Sequence, residues 1–117
     1  MQRDEQAFGA TIRKLREERH IGLRQFAGMI GVSATYLSKI ERGEMSPPTE
    51  ERVKEIARRL DQDADELLAL AGKVASDLNE IIRNQPRELA SFLRSASASG
   101  LSGRDLERLT KQVREKG

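Results

Sequence analysis

Apolar residues recur along this chain at spacings of three and four, which places them on one face of an α-helix. In the first stretch, about residues 4–19, Phe8, Ile12 and Leu15 share a face and charged residues occupy the opposite one. No segment shows the strict alternation of apolar and polar residues that is typical of a half-buried strand. The pattern therefore predicts an all-α protein.

Turn and capping residues divide the first part of the chain into five predicted helices. Left-handed residues that end helices are expected at three glycines, Gly31, Gly43 and Gly72. Ser33 and Thr49 stand where a side-chain oxygen caps the helix that follows. Gly22 lies just past the first helix, so we expect the chain to turn there. The predicted helices cover about residues 4–19, 23–30, 34–42, 50–60 and 64–71.

The second part of the chain, residues 73–117, holds shorter amphipathic segments. We predict one helix over about residues 76–83 and another that starts at Pro86, a residue suited to the first helical position. Ser102 and Asp105 form a capping box that opens the last helix. The domain prediction is therefore a helical domain over residues 1–72 and a small helical region over residues 73–117.

The run from Phe26 to Gly43 contains two short helices joined by a tight turn with a glycine. In a helix-turn-helix, the first helix supports the second, whose outer face enters the major groove of DNA. Because Leu37 and Ile40 point inward, the outer face of the second helix carries Ala34, Thr35, Ser38 and Lys39. Such small or polar groups reach base edges. The alternative interpretation is that they are ordinary solvated positions.

This run resembles the Xre/Cro-type phage-repressor helix-turn-helix family, and the resemblance covers residues 4–72. The matching segments are IRKLREER (Ile12–Arg19), LRQFAGMIGVS (Leu23–Ser33), YLSKIERG (Tyr36–Gly43) and DELLALAG (Asp65–Gly72). The resemblance implies a five-helix domain in which the third helix reads DNA. It also implies homodimers that bind two half-sites related by a two-fold axis.

The resemblance also assigns roles to individual positions. The base-reading face matches Ala34, Thr35, Ser38 and Lys39, and Arg42 matches a site that contacts the DNA backbone. Further candidates for the backbone are Ser33, Arg24 and Tyr36. The alternatives are a solvated cation for Arg24 and core-edge packing for Tyr36. Two positions depart from the family pattern, because Gly22 replaces the usual Ser or Thr cap and Leu23 replaces the usual Gln.

Arg16 and Glu41 match a family ion pair between the first and third helices. Its implied role is structural, since it would support the recognition helix. The alternative is that both residues are exposed charges, which contribute little to stability.

The second region leaves three interpretations open: homodimerisation, packing against its own first domain, and binding of another protein. We prefer a homodimer interface, with the candidates Leu78, Ile81, Leu89, Phe92, Leu106 and Leu109. The third interpretation is an antitoxin or a protease-released repressor, whose partner is a toxin or a regulatory protease. In this interpretation Phe92–Gly100 is a junction that a protease can cleave, since Ser95–Gly100 (SASASG) is predicted to be flexible.

Composition narrows the chemistry further. The 117 residues contain no Cys and one His, so disulfides are excluded and a zinc site is not expected. We find no catalytic triad or phosphate-binding glycine loop, and therefore expect neither an enzyme nor a cofactor. Residues 1–43 carry 8 Lys and Arg against 5 Asp and Glu, a basic excess that is compatible with DNA phosphates.

The N-terminal segment MQRDEQ has no apolar signal-peptide core, and no apolar run has the length of a membrane span. We therefore expect a cytoplasmic protein of a bacterium or phage, associated with the nucleoid and not with a membrane. The sequence as a whole predicts a sequence-specific DNA-binding transcriptional regulator that acts as a homodimer on a palindromic operator. Repression is the expected outcome.

Overall fold

The computed structural model describes residues 2–117, with side chains from Glu5 onward. Met1, where the first predicted domain begins, lies outside the described residues. All regular structure in the described part is α-helical, which confirms the predicted fold class. In chain order the helices are α1 (Gln2–Glu18), α2 (Leu23–Met29), α3 (Ala34–Glu41), α4 (Glu50–Arg59), α5 (Ala64–Leu70), α6 (Ser76–Asn84), α7 (Pro86–Ala98) and α8 (Gly103–Lys116).

The chain divides into two compact units, Met1–Ser76 and Asp77–Gly117. The first unit contains α1 to α5, whose apolar faces meet in one core. The core residues in the described part are Phe8, Ile12, Phe26, Ala27, Ile30, Leu37, Ile40, Val53, Ile56, Ala57, Leu60, Leu67, Leu68, Ala71 and Ala75. Every helix of this unit contributes to the core, so the unit has the apolar interior that an independently folded domain needs.

The first unit extends four residues beyond the boundary predicted at residue 72. Ala75 is buried in the core of that unit. The backbone N–H of Ser76 donates to Oε1 of Glu50 at 3.1 Å. A hydrogen bond from Lys54, together with that from Ser76, lowers the pKa of the Glu50 carboxyl below its ordinary value. These contacts attach the segment before α6 to the first unit.

The turn after α1 lies at a different residue from the one predicted. His20, with φ of 56°, takes the left-handed position, and the N–H of Ile21 donates to the carbonyl of Arg16 at 3.1 Å. This is a Schellman ending, which favours glycine but which histidine also adopts. Gly22 is extended and stands as the N-cap of α2, with no side chain to complete the cap.

Gly9 lets α1 and α3 approach each other closely. A Cβ atom built on Gly9 would lie 2.1 Å from the carbonyl oxygen of Ile40 and 2.8 Å from that of Glu41. Real side chains do not tolerate such distances to backbone atoms, so any larger residue would push the two helices apart. The end of α3 is therefore placed directly against the backbone of α1.

The second unit consists of three helices that lack buried residues in the described structure. Pro86 is the first residue of α7, as predicted. The predicted capping box of α8 also forms, with Ser102 Oγ accepting from the Asp105 N–H at 3.1 Å and the Asp105 carboxylate accepting from the Ser102 N–H at 2.9 Å. Local signals therefore suffice to start these helices, although the helices bury little within their own unit.

The prediction that residues 95–100 form a flexible segment is wrong. Helix α7 continues to Ala98, and Gly100, with φ of 68°, ends it through a hydrogen bond from Leu101 N–H to the Ala96 carbonyl. Alanine is the best helix former and serine is tolerated, so a run of these small residues continues a helix that has already begun. Phe92–Gly100 is thus a helix and its C-terminal turn, which contradicts the flexibility predicted for this segment.

Candidate nucleic-acid interface

Helix α3 presents a polar outer face, because its apolar side chains are held in the core. Leu37 and Ile40 are 1% and 2% exposed. Thr35 and Lys39 are exposed on the other side of the helix, and Ala34 and Ser38 are half-buried at its margin. The N-terminus of the helix is capped, because Ser33 Oγ accepts a hydrogen bond from the Tyr36 N–H at 3.0 Å. The four residues predicted to read bases therefore lie on one solvent-facing side of a well-capped helix.

A shallow recess lies between the start of α2 and the outer face of α3. Its lining residues are Leu23, Arg24, Ala34, Thr35, Ser38 and Arg42. The recess therefore brings three of the predicted base-reading residues together with both arginines predicted to contact the DNA backbone. Lys39, Ser33 and Tyr36 do not line it. Arginines beside small and hydroxyl side chains form the combination that DNA phosphates and base edges require.

Arg42, just past α3, is held only by surface contacts. Its Nε lies 3.4 Å from Oε2 of Glu44 and donates to the Ser38 carbonyl at 3.3 Å, with about half of each charged side chain exposed. Exposed ion pairs of this kind contribute about 0–1 kcal/mol. The guanidinium can therefore exchange Glu44 for a phosphate at small cost. Tyr36, in contrast, is half-buried and packs against the core.

A buried ion pair joins α1 to α3. Arg16 donates from Nε to Oε2 of Glu41 at 2.8 Å and from Nη2 to Oε1 at 2.9 Å, and the two side chains are 9% and 4% exposed. Arg16 Nη1 also donates to the carbonyl of Ile21 at 2.8 Å. The hydrogen bond with Glu41 raises the pKa of Arg16, against the opposing effect of burial. The structure thus brings together the two residues predicted to pair, and Arg16 ties α3 to the segment that precedes α2.

Sequence analysis does not single out two further residues, one beside α3 and one beside the end of α2. Gly9 sets the closeness of α1 and α3, and Arg52 of α4 donates from Nη1 to the carbonyl of Ile30, at the end of α2. Both effects depend on residues distant in sequence, so periodicity and capping signals do not reveal them. Among the described side chains, no group of three or more His, Cys, Asp or Glu residues is arranged to hold a metal ion.

Residues 9–73, more than half of the chain, match the helix-turn-helix domain family. The chain therefore belongs to this family, and within it to the Xre type of DNA-binding regulators. In the part that the structure describes, no helix is both long enough and apolar enough to cross a membrane.

Several known regulators are similar to the chain. RghR, an HTH-type transcriptional repressor of Bacillus subtilis (strain 168), is 36% identical over 69 residues, which are 59% of this chain and 51% of RghR. An uncharacterised HTH-type transcriptional regulator of Mycobacterium tuberculosis is 41% identical over 64 residues, which are 55% of this chain and 45% of that protein. The chain thus matches about half the length of these relatives.

The fold is also similar to a solved structure beyond the helix-turn-helix itself. The clp gene regulator ClgR from Corynebacterium glutamicum shares 25% identity with a TM-score of 0.52. The match covers 83% of this chain and 94% of that one. The likeness therefore extends past residue 73, where the family match ends.

Proposed function

We propose that this protein is a sequence-specific DNA-binding transcriptional regulator that reads the major groove with α3. The observation that carries the proposal is the polar outer face of a helix whose position is set by a buried ion pair. Lys39 can donate to O6 and N7 of guanine, the Thr35 and Ser38 hydroxyls can donate or accept, and the Ala34 methyl group can contact a thymine methyl. The role involves no catalytic step, cofactor or metal.

The DNA backbone is contacted around this face. Arg42 and Arg24 lie beside the recess and supply charge for phosphates, whose contacts position the protein without reading sequence. The Ser33 hydroxyl caps α3 through its oxygen and keeps its proton to donate to a phosphate. The phenol of Tyr36 is the remaining candidate. We place this activity in the bacterial cytoplasm, at the nucleoid.

The regulator acts as a homodimer on a palindromic operator. One short helix reaches few base pairs, whereas a two-fold dimer presents two recognition helices about 34 Å apart, one turn of DNA. The second unit supplies the interface, since Leu78, Ile81, Phe92 and Leu106 are between 39% and 53% exposed in the single chain. Repression follows where the occupied operator blocks transcription, and the relative RghR is itself named a repressor.

In a second candidate function, the same apolar residues bind a different protein, such as a toxin or a regulatory protease. It is favoured by the amount of apolar surface that the second unit leaves exposed, including Leu93 and Val113. If the chain sediments as a monomer and binds a protein of another sequence, this candidate function replaces the homodimer.

Lys39→Ala should weaken binding to the operator by about 1–3 kcal/mol and relax specificity at one base pair. The reason is that the lost ammonium leaves one base edge without its hydrogen-bond donor. Binding constants for an operator recovered by in vitro selection, and for random DNA of equal length, measure the effect. Arg42→Ala serves as the contrast, because loss of a phosphate contact weakens both DNAs alike. Equal losses for Lys39→Ala on the two DNAs would contradict base reading.

A further inference from the structure

The turn between α2 and α3 determines how the recognition helix projects from the domain. Ile30 caps the end of α2, and Gly31 follows in the left-handed conformation with φ of 71°. The N–H of Val32 donates back to the carbonyl of Ala27 at 2.9 Å. Only three residues separate Ile30 from Ala34, the first residue of α3. A small rotation at Ile30 or Gly31 would therefore tilt the start of α3, whose end is held against α1 by Gly9 and the Arg16–Glu41 pair.

Arg52 reaches this turn from a separate helix. Its backbone is fixed in the first turn of α4, where the N–H of Arg52 donates to Oγ1 of Thr49 at 3.3 Å. Its half-buried side chain donates from Nη1 to the carbonyl of Ile30. The guanidinium lies over the turn itself, because a Cβ atom built on Gly31 would come 3.6 Å from Nη1. A cation at this point also meets the negative end of the α2 dipole.

Two arginines thus hold the backbone on either side of α2. Arg16 of α1 donates to the carbonyl of Ile21, just before α2, and Arg52 of α4 donates to the carbonyl of Ile30, at its end. Arg16 has a carboxylate partner on α3, whereas the contact that Arg52 makes across the fold is to this backbone carbonyl. The two contacts hold both ends of α2, the helix that packs against α3.

We propose that Arg52 is a positioning residue for DNA recognition. By holding the carbonyl of Ile30, it fixes the angle at which α3 presents Thr35 and Lys39 to base edges. The inference rests on the proposed function, since it assumes that α3 reads DNA. A charged donor on a carbonyl gives a stronger bond than a neutral one. An apolar side chain of similar length could fill the space but would leave the Ile30 carbonyl without its charged donor, so that the Val32 N–H bond alone would hold the turn.

Arg52→Met tests the proposal in DNA binding by the full-length chain. We expect affinity for the selected operator to fall about fivefold to tenfold, equivalent to about 1–1.4 kcal/mol. Affinity for random DNA and the slope of log K against log salt should stay unchanged. Arg52→Lys, which keeps a cationic donor, should recover part of the loss. Arg59→Met is the matched control, because Arg59 pairs with Glu55 on the same helix.

Two outcomes of this experiment would overturn the proposal. A salt slope reduced by about 0.9 would show that Arg52 itself contacts a phosphate. Unchanged operator affinity would show that the position of α3 does not depend on the contact.

Amide hydrogen exchange without DNA separates failure of this proposal from failure of the proposed function. In Arg52→Met, we expect exchange at Val32 to accelerate about tenfold, which corresponds to about 1.4 kcal/mol, while Leu60 in the core is unchanged. Equal acceleration at both sites would make Arg52 a general stabilising residue and overturn the proposal. A wild-type chain that binds no DNA selectively would instead remove the proposed function, and the exchange result would still decide whether Arg52 holds the turn.

Discussion

Replacing Glu41 with alanine should lower the free energy of unfolding by about 3–5 kcal/mol, because Arg16 would keep a buried charge without its partner. Both side chains are almost fully buried, and their paired hydrogen bonds measure 2.8 and 2.9 Å. The bond from Arg16 to the Ile21 carbonyl remains but carries no compensating charge. Since small domains have a total stability of about 5–15 kcal/mol, the variant should be close to unfolding. Chemical denaturation measures the change.

Two comparisons make this result specific to the buried pair. Glu17→Ala removes an exposed carboxylate that pairs with Arg13 on the same helix, and it should cost less than about 1 kcal/mol. Arg16→Met combined with Glu41→Leu removes both charges, and the double variant should be more stable than Glu41→Ala alone. Strictly additive effects of the separate substitutions at Arg16 and Glu41 would show that the two residues do not interact.

Phe92→Glu should convert the proposed homodimer of the full-length protein to a monomer and weaken operator binding by about 100-fold or more. Phe92 is 49% exposed in the single chain and lies beside Leu93, which is 52% exposed. Burial of a phenylalanine side chain contributes about 1.5–3 kcal/mol, and a two-fold interface contains it twice. A carboxylate at the same place would resist burial. Without dimerisation, the second half-site is no longer bound at the high effective concentration that linkage provides.

Sedimentation velocity and binding to full and half operators test this second prediction. Arg87→Glu is the control, because it adds a carboxylate at another exposed position of α7 and should leave the dimer intact. Half-site affinity should be similar for all three proteins. A wild-type chain that is monomeric at micromolar concentration, or a Phe92→Glu variant that stays dimeric, would contradict the proposed interface.

Helix starts and ends in this protein follow local chemistry, and for that reason the sequence predicts them well. Ser33 caps α3, Pro86 begins α7, and the Ser102–Asp105 box opens α8, each through contacts within a few residues. The conformation of residues 95–98 is harder to predict from the sequence, because small residues suit both a loop and a continuing helix. Local signals are insufficient wherever two conformations have similar intrinsic free energies.

The parts of the site that depend on packing between helices are harder to predict from the sequence. Gly9 and Arg52 act on backbone atoms of other helices, and neither position carries a distinctive sequence signal. Periodicity also leaves open which apolar residues meet inside the second unit. Leu89 and Leu109, predicted at the interface, are half-buried, whereas Leu93 and Val113, which were not predicted there, are exposed. An amphipathic stripe identifies the residues that need a partner, but not whether that partner lies within the same unit.

In vitro selection of bound DNA from a random pool, with the full-length protein, is the decisive test of whether α3 reads DNA. We expect one short sequence that appears twice in inverted orientation, with centres about 10 base pairs apart, because two copies of α3 read successive major grooves. Lys39→Ala should select a pool in which one position of each repeat has become degenerate. A pool that stays random after selection, or one whose enriched sequence is the same for the wild-type protein and for Lys39→Ala, would contradict the reading of DNA by α3.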